Sequence, residues 1–232
     1  MMKTIRVIIT CYPEFSTGIT PGMRDSLTRF AGTDEIISDL SKSKETKVVG
    51  YEVRRGDYRY LIYPSSNCFV STARNNGVNV WNGSKKKKQD IADCHGILFL
   101  DHDHTFEPEQ IDRLIASEKD VVSAAYPYRT DAEPLVSCYV AGDFDDRLNG
   151  MLCTRIHKSA KGMQNCDWVG GGFMFVRSPV FGKIEFPWFC RGVIDCGDEA
   201  EEMGEDIGFC LQCAKADIPI YVDCDNVVGH YK

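Results

Sequence analysis

The sequence predicts a single α/β domain, a mixed and mainly parallel central sheet flanked by helices. Three observations lead there. Strand-like and helix-like stretches alternate through the first half of the chain. Gly96-Ile-Leu-Phe-Leu100 is a buried-type apolar strand that runs directly into Asp101-His102-Asp103. With 232 residues, 43 % of them apolar, the chain can fill one large core.

Taken in order, Arg6 to Cys11 is a continuous apolar strand, followed by Tyr12-Pro13 and a loop rich in Gly, Pro, Ser and Thr up to Gly22. Met23, Leu27, Phe30, Ile37 and Leu40 form a helical stripe interrupted at Gly32-Thr33. Val48–Val53 and Tyr58–Tyr63 read as strands that can pair across Arg55-Gly56-Asp57. Val70, Ala73, Gly77 and Trp81 mark one face of a helix, with Arg74 and Asn75 beside it. After the acidic strand comes a short helix with Pro108 in its first turn and Ile111, Leu114 and Ile115 inward. Val121 to Tyr126 is another strand.

The second half is less regular. Residues 141–167 read as a mobile excursion around a strand from Met151 to Ile156. Trp168 to Val176 is a strand with Gly170, Gly171 and Gly172 at its mouth, where backbone passes close to a neighbour or ligand. Gly204-Glu205-Asp206 opens a helix with Ile207, Cys210, Leu211 and Ala214 on one face, and the helix dipole favours carboxylates there. Ile218 to Val222 is a strand, and His230 follows close to the terminus.

The acidic pair carries the chemistry. On an extended backbone Asp101 and Asp103 point to the same side. At the carboxyl end of a strand they face the crevice where α/β sheets bind ligands. Two carboxylates there repel one another, and a hard divalent cation relieves that repulsion. His102 and His104 flank the pair and could bind a softer metal, but His102 should point the other way, toward packing or a hydrogen bond.

Composition narrows the classes. A net charge of −7 argues against a general nucleic-acid coat, and Lys85 to Lys88 is the one basic cluster. No run of 18 apolar residues spans a membrane, and Met1 to Arg6 leads into a strand rather than the apolar region of a signal peptide. Eleven irregularly spaced cysteines, several within apolar patterns (Cys11, Cys138, Cys210, Cys213), fit buried free thiols in a reducing cytoplasm. Cys210-x-x-Cys213 has no matching second pair for a zinc site.

In order and spacing, Ser71-Thr-Ala-Arg74-Asn75, Leu98-Phe-Leu-Asp-His-Asp103, Val169-Gly-Gly-Gly-Phe-Met174, Gly204-Glu-Asp-Ile-Gly-Phe209 and Gly229-His230 resemble the GT-A glycosyltransferases. The resemblance spans nearly the whole chain and is nearest to small stand-alone, family 2-like or phage-type members. It implies a Rossmann-like sheet with a nucleotide-binding half over residues 1–103 and an acceptor-binding half over 104–232. By that resemblance Thr10, Tyr12 and Pro13 lie beside the nucleotide base, and Arg74 and Asn75 lie on the diphosphate side. Asp101, His102 and Asp103 then meet ribose and metal-bound diphosphate, with Mn2+ or Mg2+ held by Asp101, Asp103 and His230. Trp168, Gly170, Gly171 and Gly172 line the sugar and acceptor pocket, and Glu205 and Asp206 face the acceptor.

The implied reaction moves a sugar from a nucleoside-diphosphate sugar, UDP-linked by frequency among such enzymes, to an acceptor hydroxyl. The metal absorbs charge on the departing diphosphate, and Asp206, with Glu205 second, is the candidate base. Retaining members need no such base, so the stereochemical outcome stays open. The acceptor is a glycan, a small molecule or a hydroxymethylated DNA base, for which Lys85–Lys88 with Arg54, Arg55 and Arg59 would supply a phosphate-binding edge. Two other classes compete: a nucleotidyltransferase, which wants a Gly-rich basic loop that Thr10 to Ser16 lacks, and a non-catalytic nucleotide-sugar-binding module.

Overall fold

The computed structural model describes residues 2–11, 18–41, 50–66, 69–79, 93–127, 135–145, 150–157, 159–195 and 200–230. Tyr12, Pro13, Trp81 and Lys85–Lys88 lie outside them. Strand β1 (Lys3–Cys11) is followed by helices α1 (Pro21–Ala31) and α2 (Glu35–Ser41). Thr20 caps α1 by accepting from the Met23 amide, Pro21 sits where no amide is needed, and Gly32 closes the helix at φ +74°. The interruption in the apolar stripe is thus a helix end. β2 (Tyr51–Arg55) and β3 (Tyr58–Ser66) form the expected hairpin.

Next come α3 (Val70–Val78), β4 (Gly96–Asp101), the two-residue β5 (His104–Thr105), α4 (Pro108–Ala116) and β6 (Val121–Ala125). The region read as a mobile excursion contains a long hairpin, β7 (Leu135–Asp145) with β8 (Gly150–His157), and then β9 (Met163–Cys166). The strand expected from Met151 to Ile156 is β8; the polar composition concealed its partner β7 and also β9, which joins the main sheet beside β14. β10 (Trp168–Val169), β11 (Phe173–Arg177), the short helix α5 (Val180–Lys183) and the hairpin β12 (Gly192–Asp195) and β13 (Ala200–Met203) lead to α6 (Glu205–Lys215). The chain ends through β14 (Ile220–Val227) and β15 (Gly229–His230).

The main sheet has eight strands in the order β2-β3-β1-β4-β11-β6-β14-β9. Strands β3, β1, β4, β6 and β14 share a direction, and β2, β11 and β9 oppose them. The expectation of a mainly parallel sheet therefore needs correction at the level of neighbours. Four junctions are antiparallel (β2·β3, β4·β11, β11·β6, β14·β9) and three are parallel (β3·β1, β1·β4, β6·β14). Two of the four come from β11, which enters from the glycine turn at the carboxyl edge of β4 and runs back against β4 and β6; the other two lie at the sheet's outer strands, β2 and β9.

Cores fill both faces. Ile5, Val7, Ile9, Leu98 and Leu100 meet α1, α2 and α4 on one side. Ile8, Ile97 and Phe99 meet Val78 of α3 and the α5–α6 side on the other. Two helix faces differ from expectation. Val70 is exposed while Arg74 and Asn75 are buried, because α3 packs through Gly77, where a Cβ would sit 2.5 Å from Ile8 Cγ2. In α6 the buried residues are Gly208, Phe209, Cys210 and Cys213, and Leu211 is exposed. Cys11, Cys210 and Cys213 are buried free thiols, as expected. Among the described residues no helix is long and apolar enough to cross a membrane.

Candidate functional site

The carboxyl ends of β1, β4 and β6, with the glycine turn entering β11, form one edge of the sheet, and Arg74, Asp101, Asp103, Gly171, Gly172, Glu205 and His230 gather there. Asp101 keeps the parity of Ile97 and Phe99 and so faces α3 and α6. Arg74 reaches it from α3, donating through Nη2 to Asp101 Oδ1 and Oδ2 at 3.0 and 3.1 Å. Through Nη1 the same guanidinium donates to Glu205 Oε1, in the first turn of α6, at 2.6 Å. Arg74 is only 2 % exposed and is enclosed by these carboxylates, so its charge orders Asp101 and Glu205 rather than facing an open diphosphate site. Burial works to raise the Asp101 carboxyl, yet Arg74 and then His104 outweigh it and hold it below the usual range.

Asp103 does not share that position. The chain turns at His102–Asp103, so the extended geometry that would align the two aspartates is lost. The turn is fixed by His102 N donating to Thr10 O and by Thr20 N and Oγ1 donating to His102 O. Asp103 instead joins His104 and His230. His104 Nδ1 is 3.5 Å from Asp103 Oδ1, and His230 Nε2 is 3.6 Å from Asp103 Oδ2. All three offer a ligand atom within 4.8 Å of the others, and among the described residues this is the one such group. Asp101, expected beside Asp103 and His230, is paired with Arg74, and His104 stands with them in the cluster instead.

The two imidazoles stack at 4.7 Å and 14°. They are brought together because β15 pairs antiparallel with β5, with His230 opposite His104. Tyr126, just past β6, places its ring edge-on to His104 at 4.6 Å and to His230 at 5.5 Å, and its hydroxyl accepts from Gly172 N at 3.2 Å.

The residues fit a divalent cation on several counts. Neither ring nitrogen of buried His104 has a hydrogen-bond partner among the described residues. Burial pushes its imidazole down to about 4, against the opposing pull of Asp101, leaving the neutral form that ligates metals. His230 Nδ1 lies 2.9 Å from the Pro127 carbonyl, which can only accept. That contact sets the proton on Nδ1 and turns the Nε2 lone pair toward Asp103, the orientation that outer hydrogen bonds impose on metal-binding histidines. Metal bonds near 2.1 Å give ligand-to-ligand edges of about 3–4 Å, and the contacts of Asp103 with His104 and His230, at 3.5 and 3.6 Å, fall in that range.

No protein-family profile matches the chain, and neither does any curated protein sequence. Among solved structures it is similar to A197 from STIV, known from a crystal structure. The match covers 100 % of this chain and 95 % of that one, with a TM-score of 0.50 and 14 % sequence identity. The likeness is one of fold: a mixed α/β sheet flanked by helices.

The glycines owe their identity to close approach. A Cβ on Gly171 would lie 2.5 Å from Arg74 Nη1, and one on Gly172 would lie 2.6 Å from His104 Cε1 and 3.0 Å from Asp101 Oδ2. Gly170 leads into this turn from Trp168, which is half-buried against the α6-side core rather than beside the histidines. Thr10 is buried, and its Oγ1 has no hydrogen-bond partner among the described residues.

Asp206 turns back over its own helix start, where Oδ1 accepts from Ile207 N at 2.9 Å. Asn75 is consumed structurally. Its amide donates to Ser71 O and Phe189 O at 2.9 and 2.7 Å, and its carbonyl accepts from Phe189 N at 3.1 Å. Asn75→Ala would strand both polar groups of the buried Phe189 backbone and is expected to cost about 2–3 kcal/mol, read by urea denaturation. A loss below about 0.5 kcal/mol would contradict this role.

The basic edge expected for DNA is neutralised where it is described. Arg54 and Arg59 share Glu52, and Arg55 lies between Asp112 and Glu109, so three guanidiniums meet three carboxylates.

Tyr126 was missed from sequence, and His104 was weighed only as a possible ligand for a softer metal. The Asp-His-Asp-His spelling contains the signal for His104, but only a turn at 102–103 brings it to the side of Asp103.

Proposed function

We propose that this chain is a metal-dependent glycosyltransferase of the GT-A type, acting on a nucleoside-diphosphate sugar. The observation that carries the proposal is the Asp103–His104–His230 cluster at the carboxyl end of β4, beside the Arg74–Asp101–Glu205 ion pairs. Such an edge is where α/β sheets bind ligands. Two imidazoles with one carboxylate depart from the all-oxygen set that Mg2+ takes and suit a transition-metal ion better, which of the two expected ions favours Mn2+. A bound ion of this kind supplies a Lewis acid toward the departing diphosphate.

The chain's own groups do the rest. Arg74 keeps Asp101 charged and fixed at the rim, and the Gly171–Gly172 backbone, lacking side chains, packs directly against Arg74, Asp101 and His104. Glu205, tied to Arg74, sets the start of α6 and thereby the place of Asp206, the candidate acceptor base. Pairing of Arg54, Arg55 and Arg59 favours a glycan or small-molecule hydroxyl over DNA as acceptor.

A thermal-shift screen of UDP, GDP, CMP and their sugars, with and without Mn2+, tests the proposal. One nucleotide sugar is expected to stabilise the protein only when Mn2+ is present, by roughly 2.7 kcal/mol at a hundredfold excess over Kd. Asp103→Asn and His104→Ala should abolish that shift while the chain still folds. Stabilisation by a nucleotide with or without metal, and unchanged in both variants, would refute the reading.

A further inference from the structure

The terminal strand reaches the cluster through an irregularity. β14 runs parallel to β6 in regular register up to Asp223 opposite Ala124, but the next partner, Ala125, is met by Val227. One step on β6 is matched by four on β14, so Cys224, Asp225 and Asn226 are looped out. In unbroken register Cys224 would face Ala125 and His230 would fall three residues further along, about 10 Å beyond its present position. The bulge therefore sets whether His230 meets Asp103 at all.

Helix α4 holds that bulge from outside. Arg113 donates through Nε to Asp223 Oδ2 and through Nη2 to Asp223 Oδ1 at 2.9 Å, with Asp225 Oδ2 at 3.5 Å. Asn226 Nδ2 donates to Gln110 O at 2.9 Å, and Gln110 Nε2 donates to Val227 O at 2.7 Å. Within the bulge Asp225 N donates to Asp223 Oδ1 at 3.2 Å. Gln110 and Arg113 are one turn apart on a helix that starts three residues after Thr105, so the clamp is built on the segment that carries Asp103 and His104. Beyond it, Val228 N donates to Ala125 O at 2.9 Å and β15 pairs with β5.

We infer that Gln110 and Arg113 are positioning residues for the metal centre: they fix the β14 bulge and so deliver His230 to Asp103 and His104. The inference rests on the cluster binding a divalent cation.

Gln110→Glu is the informative variant. Gln110 Oε1 accepts from Glu107 N at 2.8 Å in a capping box, which glutamate serves equally well, whereas the anchor to Val227 O becomes a contact between two acceptors. Mn2+ alone is titrated calorimetrically into the full chain, into Gln110→Glu, into Arg113→Lys, and into a chain ending at Val228 with and without Gln110→Glu. Both substitutions in the full chain should weaken Mn2+ binding tenfold or more and speed amide exchange of Gly229 and His230. In the shortened chain, where no His230 is left to position, Gln110→Glu should change nothing.

Equal Mn2+ affinity in parent and both full-length variants overturns the inference and leaves the metal site standing. Weakening that persists in the shortened chain also overturns it, since the effect would not pass through His230. No Mn2+ binding by the parent removes the metal site and the inference with it.

Discussion

Arg74→Ala is expected to lower unfolding stability by about 3 kcal/mol, the lower end of the range for breaking a buried ion pair. Arg74 is 2 % exposed and is hydrogen-bonded to Asp101 and Glu205, so its removal leaves two part-buried carboxylates facing one another with no cation between them. The lower end applies because the side chains of Asp101 and Glu205 retain 27 % and 17 % exposure, which lets water screen the stranded charges. Arg74→Lys should recover only part of the loss, because an ammonium cannot span both carboxylates as the planar guanidinium does. Adding Glu205→Gln to Arg74→Ala should restore stability by removing one of the repelling charges. Urea denaturation of the set reads these differences, and a loss under about 1 kcal/mol for Arg74→Ala would show the ion pairs to be dispensable.

Arg74 also shows where the sequence could be read and where it could not. Its place beside the acidic strand followed from the order of motifs. Its burial did not, because the stripe Val70, Ala73, Gly77 placed it beside the inward face. Ala73 and Gly77 are buried as expected, but Arg74 and Asn75 are buried with them and Val70 is exposed. The face is decided by Gly77 admitting Ile8 and by carboxylates from β4 and α6, partners 27 and 131 residues away, which no local periodicity encodes. β1, the β2–β3 hairpin, α1 and α4 were legible because each carries its own caps and alternation: Thr20 and Pro21, Gly32, Gly56, Pro108.

Of the β7–β8 hairpin, β8 was legible as the strand Met151 to Ile156, whereas β7 was not, because its Gly142-Asp-Phe-Asp145 end merges with the polar stretch that follows. The metal-type cluster was half legible. Asp103 and His230 could be selected by residue type, whereas His104 required knowing that the chain turns at His102. That turn is enforced from afar by Thr10 and Thr20 rather than by a Gly or Pro in place.

Asp206→Asn separates the catalytic part of the proposal from the structural part. Two carboxylates open α6, and the geometry gives them different work. Glu205 is bound to Arg74 at 2.6 Å, so taking up a proton would sacrifice a buried charge-assisted hydrogen bond. Asp206 makes a bond to the Ile207 amide that uses only Oδ1, which leaves Oδ2 able to accept a proton from an acceptor hydroxyl. Asparagine keeps an Oδ1 acceptor for the same amide, so stability should change by no more than about 0.5 kcal/mol. Donor affinity should also hold, because neither the cluster nor Arg74 is touched. The expected change is in kcat alone, a fall of roughly 10²–10⁴-fold, the usual yield of general-base catalysis. Glu205→Gln should show the opposite balance, a stability loss through Arg74 with a smaller kinetic effect. Steady-state turnover with the donor identified by the Mn2+ screen makes the comparison. A kcat within about threefold of the parent for Asp206→Asn would limit Asp206 to capping α6, and the reaction would then use Glu205 or proceed with retention and no such base.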